Sequence, residues 1–185
     1  MDRFEIQETD FEGVYIIKPI VHKDYRGYFV KTYDEEEFKA KGINLKFVQD
    51  DQSCSAKGAI RGLHFQKEHP QGKLVRVVNG KVFDVCVDLR KDSLTYGKWM
   101  GIVLSAKNKK QLYVPRGFAH GILSLEDNSI FVYKTDEVYY PGDEGGLCWD
   151  DEDLAIDWPL DDIEEVLVTD KDKNWPSFKN LDFHY

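Results

Sequence analysis

The sequence is short of several things that would each define a class of protein. Its three cysteines, Cys54, Cys86 and Cys148, form neither a Cys-x-x-Cys pair nor the even framework of a disulfide-stapled domain. No apolar run approaches the roughly 20 residues that a membrane-spanning helix needs. No stretch is dominated by Pro, Ser or Gly, and no repeat period or low-complexity segment appears. The opening Met1-Asp2-Arg3-Phe4-Glu5 is charged and lacks the apolar core of a signal peptide. A phosphate-cradling P-loop, a Gly-rich dinucleotide motif and a Ser-His-Asp order are also missing. These absences leave the expectation of a soluble, cytoplasmic domain.

What is present suits one folded unit. The 185 residues are 42% hydrophobic and 14% aromatic, enough for a proper core in a single domain spanning residues 1–185. The formal charge is −9, which argues against DNA or another polyanion as partner, because phosphate binding needs a basic face. The charge is unevenly spread. Between Asp136 and Asp172 there are 15 acidic residues against one basic, Lys171, a local −14 that leaves the rest of the chain at +5. That remainder is compatible with a small anion held by a local basic cluster, and most of the acidic stretch reads as solvated surface.

Patterning points to a mostly β protein with minor helix near each end. One early helix is legible: Asp34 as N-cap, Glu37 at the third position as in a capping box, and Gly42 at the end. Lys73 to Val78, then Asn79-Gly80, then Lys81 to Leu89 predicts a hairpin with a type I′ turn. Within its second strand Phe83, Val85, Val87 and Leu89 share one face, and Asp84 and Asp88 the other. Further strands are expected at Trp99 to Leu104, Gln111 to Val114, Ile122 to Leu125 and Ile130 to Lys134. Short strands at regular spacing suggest an antiparallel sandwich or barrel of jelly-roll type.

The densest chemical cluster is Arg61-Gly62-Leu63-His64-Phe65-Gln66. On a regular strand His64 and Gln66 point one way, and Arg61, Leu63 and Phe65 the other. A second cluster, Val114-Pro115-Arg116-Gly117-Phe118-Ala119-His120-Gly121, puts His120 at a turn into a strand. Two histidines in a β-barrel raise the question of a metal, but the His-x-His pair that places ligands on one strand face is missing: His64 is followed by Phe65 and Gln66, with Glu68 and His69 in a loop. No metal site is expected. The alternative is acid–base chemistry. Histidine titrates near neutrality and serves as a base when a carboxylate fixes its tautomer. Tyr133, in Phe131-Val132-Tyr133-Lys134, is a candidate proton donor, and Lys73 and Arg61 offer charge for an oxyanion or a phosphate. Each of these residues also has an ordinary packing or surface reading, so spacing alone stops at a β-barrel with a polar His/Tyr/Lys interior.

Together the motifs resemble the dTDP-4-dehydrorhamnose 3,5-epimerase family. The residues that carry the resemblance are Gln49-Asp50-Asp51-Gln52-Ser53, Arg61 to Gln66, Gln71-Gly72-Lys73-Leu74-Val75, Asp84-Val85, Asp88-Leu89-Arg90, Pro115 to Gly121, Val132-Tyr133-Lys134, Ile156-Asp157-Trp158-Pro159 and Thr169-Asp170-Lys171-Asp172. They run in order from about Gly13 to Asp172. The resemblance implies a cupin-type double-stranded β-helix, or jelly roll, at about residues 13–140, with the segment 141–185 packed on it. It also implies a homodimer that exchanges strands, no metal and no organic cofactor. The implied substrate is a nucleotide-diphosphate keto sugar, dTDP-4-dehydro-6-deoxy-D-glucose, inverted at C3 and C5. By position, His64 is the implied base, Asp172 its orienting carboxylate, Tyr133 the acid on the opposite face and Lys73 the group that steadies the enolate oxygen. Arg26, Gln49, Arg61, His120, Glu144 and Lys171 fall where the family contacts nucleotide, phosphate or sugar.

Two positions on the implied nucleotide side depart from the family: Lys31 stands where the motif carries Glu, and Asp51 where Asn is usual. If the two lie close, a Lys31–Asp51 pair would preserve local neutrality. Glu accepts a hydrogen bond from an imide N–H, whereas Lys only donates, which would suit cytosine and a CDP-linked sugar. The competing readings are therefore an epimerase or isomerase acting at one carbon, or on a CDP sugar, and, from other classes, a metal-dependent cupin or a non-catalytic sugar-binding one.

Overall fold

The structure is a computed structural model, and it describes residues 3–44 and 46–185. Thirteen strands dominate those residues. They are β1 (Phe4–Glu8), β2 (Tyr15–Pro19), β3 (Val21–Asp24), β4 (Gly27–Val30), β5 (Gln49–Ser55), β6 (Ile60–Gln66), β7 (Lys73–Asn79), β8 (Lys81–Asp88), β9 (Trp99–Ser105), β10 (Gln111–Val114), β11 (Phe118–Ser124), β12 (Ser129–Thr135) and β13 (Glu144–Gly146). Two short helices, α1 (Glu35–Ala40) and α2 (Asp170–Lys173), and a 3-10 turn at Phe178–Asn180 complete the set.

Two antiparallel sheets face each other. One has the order β1-β2-β10-β7-β12-β5 and the other β13-β6-β11-β8-β9, while β3 and β4 form a separate hairpin. The mainly β jelly-roll expectation stands. The Lys73–Leu89 hairpin does not. Asn79-Gly80 carries the chain from β7 in one sheet to β8 in the other, so the two strands never pair. Gly80 does adopt the left-handed φ of +74° that the turn signal implied. Local turn chemistry was legible; what the turn connects is set by which sheet needs each strand.

The alternation in β8 explains how the second sheet is buried. Val82 and Cys86 pack inward against Val75, Val77, Leu112 and Phe131 of the facing sheet. Val85, Val87 and Leu89 point outward, under Leu147, Leu154 and Trp158 of the C-terminal segment. Both faces of β8 are therefore covered, and Asp84 and Asp88 are fully buried. On the outside of the six-stranded sheet, α1 buries Phe38 edge-on against Phe4, with ring centroids 4.9 Å apart. A buried Phe of this kind contributes about 1.5–3 kcal/mol. Asp34 caps α1 as expected, accepting from the Glu37 N–H at 3.2 Å. The Glu37 carboxylate does not close a capping box, because it accepts instead from the Arg3 backbone N–H. Among the described residues, no helix is long and apolar enough to cross a membrane.

Candidate active site

The space between the sheets is not filled. A cavity of about 850 Å³ is lined by Ser53, Arg61, His64, Lys73, His120, Tyr133 and the segment from Glu165 to Lys173. A smaller one of about 320 Å³ adjoins it, lined by Gln49, Asp51, Gln71, Tyr139 and Glu144, and His64, Lys73 and Tyr133 border both. These three groups thus stand where the two spaces meet. His64 comes from β6 of one sheet, and Lys73 and Tyr133 come from β7 and β12 of the other.

The strand parity expected for Arg61 and His64 fails, and the reason is local. His120 pairs with His64 and Ile122 with Arg61, so two steps along β11 span three along β6. The extra residue is a β-bulge, which places residues three apart on the same face. Gly62 makes this possible: its φ is +126°, and a Cβ there would lie 2.6 Å from the Gly121 Cα and 2.7 Å from the His120 carbonyl oxygen. Arg61 therefore reaches the cavity beside His64, anchored by donation from its Nε to the Ser55 hydroxyl at 2.9 Å. Leu63 and Phe65 turn into the apolar layer.

His64 has a defined tautomer. Its Nε2 lies 2.7 Å from Asp172 Oδ1, and an ionised carboxylate only accepts, so Nε2 carries the proton and Nδ1 keeps its lone pair. Burial pushes the Asp172 carboxyl up, but the hydrogen bond and charge of His64, with the Gly62 N–H, bring it below the usual carboxylate range. That N–H donates to Asp172 Oδ2 at 3.4 Å. Asp172 is delivered by α2, whose N-cap Thr169 accepts from the Asp172 N–H. The preceding strap is sewn to the start of β6: Leu167 N–H donates to the Gly58 carbonyl at 2.9 Å, and Ile60 N–H donates to the Leu167 carbonyl at 3.0 Å. Gly58 is obligatory there, since a Cβ would sit 2.1 Å from the Glu165 carbonyl oxygen.

On the other side of the ring, Glu144 Oε1 lies 3.8 Å from His64 Nδ1, and Glu144 Oε2 accepts from the Lys171 ammonium. Facing them, burial holds the Tyr133 phenol above its usual value, with Asp51 adding to the effect, so it keeps its proton through the neutral range. Burial pulls the Lys73 ammonium down, opposed by the charges of Glu144, Asp84 and Asp51. His120 is buried within β11 rather than at a turn, and its Nε2 lies 2.9 Å from Asp84 Oδ1. Gln49 donates to Asp51 at 2.6 Å and accepts from the Tyr139 N–H, bordering the smaller cavity. Lys171 lines the larger one.

Arg26 and Lys31 are not brought to either cavity. Arg26 sits on the β3–β4 turn, bound to Asp24, with 74% of its side chain exposed. Lys31 pairs with Asp34 at 2.6 Å, so the Lys31–Asp51 pair considered from the sequence does not form within the chain. Sequence reasoning missed the strap at Val166–Val168 and the Trp175 ring, which stands edge-on to His64 with centroids 6.4 Å apart. The spacing Thr169-x-x-Asp172 was the available signal, since Thr followed by an acidic residue at the third position marks a helix start. Among the described residues, no three His, Cys, Asp or Glu side chains converge as a metal would require.

A family model described as dTDP-4-dehydrorhamnose 3,5-epimerase matches residues 8–180. A dTDP-4-dehydrorhamnose 3,5-epimerase from Methanothermobacter thermautotrophicus is 49% identical over 175 residues, covering 95% of each chain. The crystal structure of a dTDP-6-deoxy-D-glucose-3,5-epimerase from Legionella pneumophila, in complex with dTDP-4-keto-L-rhamnose, superposes with a TM-score of 0.93 at 41% identity, covering 97% of this chain and 95% of that one. A 3'-monoepimerase from Streptomyces bikiniensis in complex with dTDP-quinovose superposes with a TM-score of 0.85 at 33% identity, covering 91% and 85%.

Proposed function

Because the chain belongs to the dTDP-4-dehydrorhamnose 3,5-epimerase family, we propose that it is an isomerase that inverts C3 and C5 of dTDP-4-dehydro-6-deoxy-D-glucose. The observation that carries the chemistry is the opposition of His64 on one sheet to Tyr133 on the other, across a cavity that also holds Lys73. A ketone at C4 acidifies the hydrogens on both neighbouring carbons. The lone pair on His64 Nδ1 takes a proton from one face, and the C–H electron pair becomes an enolate. Lys73 supplies preorganised positive charge to the enolate oxygen. Tyr133 returns a proton from the opposite face, and inversion results. Asp172 holds the base in its tautomer and steadies the imidazolium.

Arg61 and His120 are the proposed diphosphate and sugar contacts within the chain, and Gln49 and Asp51 the proposed nucleotide contacts. The β3–β4 hairpin supports a further element of the reading. It exposes Tyr25, Tyr28 and Phe29, and it carries Arg26 away from its own cavity. We assign the hairpin, with Arg26 and Lys31, to a strand-exchanged homodimer in the cytoplasm, where it would reach the partner's nucleotide. Sedimentation equilibrium tests this, and a monomer at working concentrations would overturn the dimer.

Proton NMR in deuterated water with dTDP- and CDP-4-keto-6-deoxyglucose tests the activity. Deuterium should enter at both C3 and C5 of the dTDP sugar, and His64→Ala should abolish both exchanges. Exchange at either carbon at the wild-type rate in that variant would remove His64 as the sole base, and preference for the CDP sugar would overturn the nucleotide.

A further inference from the structure

We propose that Glu144, backed by Lys171, is the outlet through which His64 discards the proton taken from the first carbon so that it can act at the second. The inference rests on the reading of His64 as the only base. A single base that works twice must be emptied in between. In the first half, the C–H bond breaks, its electron pair enters the enolate, and a new Nδ1–H bond makes the ring an imidazolium. Tyr133 meanwhile gives a different proton to carbon and is left as a phenolate. Before the second carbon reacts, Nδ1 must lose one proton to solvent, and the Tyr133 phenolate must take one from water, so the reset is neutral overall.

The Asp172 side of the ring offers no way out, because that carboxylate is only 6% exposed and already accepts the Nε2 proton. The Nδ1 side does. Gly146 of β13 pairs with His64 of β6, so Glu144, two residues along, stands on the same face of the sheet. Its Oε1 lies 3.8 Å from Nδ1, a gap that a small rotation or one water closes. Its other oxygen holds Lys171, whose side chain is 53% exposed, so the Glu144–Lys171 pair leads from the ring to water. The proton passes from Nδ1 to Glu144, breaking N–H and forming O–H. It then passes from Glu144 to water, restoring the carboxylate. Lys171 stays a cation throughout; burial disfavours that charge, but the Glu144 carboxylate outweighs it and holds the ammonium above its usual value. A carboxylate that only gripped a sugar hydroxyl would affect both carbons alike, whereas an outlet matters only after the first.

The experiment follows both exchanges by quenched-flow proton NMR in deuterated water, for wild type, Glu144→Gln and Glu144→Asp, with the dTDP-4-keto sugar. Glutamine keeps the size and hydrogen-bonding reach but cannot carry the proton. In Glu144→Gln the second exchange should slow at least tenfold more than the first, so that singly exchanged sugar accumulates. Formate, a small diffusible carboxylate, should restore the second step, and Glu144→Asp should give an intermediate ratio. Equal slowing of both steps, or an unchanged ratio of singly to doubly exchanged sugar, would overturn the outlet while leaving His64 as base. If wild type exchanged neither carbon, the epimerase reading itself would fail, and the outlet with it.

Discussion

Replacing Asp172 by Asn changes one atom type at a site where the structure dictates the consequence. The side chain is nearly fully buried, so the amide has only two orientations, and each must satisfy the His64 ring and the Gly62 N–H together. With its oxygen toward His64, the amide NH2 faces the Gly62 N–H, donor against donor. With its oxygen toward Gly62, the NH2 donates to His64 Nε2, which must then be bare, and the ring proton moves to Nδ1. The second orientation satisfies every group and fills the basic nitrogen. Loss of a charge-assisted hydrogen bond alone is worth about 1.5–3 kcal/mol, or about 10- to 150-fold in rate at 1.4 kcal/mol per decade. A ring locked in the wrong tautomer raises the loss further, toward the roughly 10⁴-fold seen when a serine-protease Asp is changed to Asn. The expected result is a fall of at least 100-fold in deuterium exchange at both carbons with little change in KM. Nitrogen-15 NMR of the His64 ring should show the proton on Nδ1 instead of Nε2. A rate within threefold of wild type would refute the argument.

Three further outcomes are expected. Tyr133→Phe should leave exchange largely intact while slowing inversion by about 10²- to 10⁴-fold, the scale of a lost general acid, and NMR of the product reads both; an unchanged inversion rate would remove Tyr133 from the acid role. Gly62→Ala forces a Cβ into the backbone of β11 at a left-handed φ, and urea denaturation should show a loss of about 3 kcal/mol or more; a loss under 1 kcal/mol would mean that the bulge relaxes freely. Asp172 has a lowered folded pKa, so its stabilisation is complete above the unfolded carboxyl value, near 3.9, and fades as pH falls through the folded one. The stability gap between wild type and Asp172→Asn should therefore shrink on acidification, and a gap constant from pH 7 to pH 2 would contradict the assignment.

How much of this was legible depended on how local each feature is. The cap of α1, the left-handed Gly80 and the strands from β9 to β12 follow from a few neighbouring residues, and sequence reasoning placed them within a few residues. That β7 and β8 go to different sheets could not be read, because a two-residue turn looks the same whether it closes a hairpin or crosses between sheets. Arg61 was assigned the wrong face because the bulge at Gly62 is fixed by a strand some 60 residues away. The polar run Gln49–Ser55 was not recognised as β5, because its inward residues Gln49, Asp51 and Ser53 line cavities and so carry none of the apolar alternation that marks a strand. Only the resemblance to the epimerase family named His64, Lys73, Tyr133 and Asp172 together, and only a fold could put Asp172 against His64 across more than a hundred residues of chain.

The turn at Asn79-Gly80 is one of several places where the chain leaves one sheet for the other: β5 to β6, β6 to β7, β7 to β8 and β9 through β12 all alternate. Neither sheet is therefore encoded by a contiguous stretch, and no cut of the gene would release half a sandwich able to stand alone. Base and acid sit on opposite sheets, so they meet only when the whole weave has closed. An assembling chain has no partial activity to offer, and activity recovered during refolding should track global burial of the core rather than any earlier local signal.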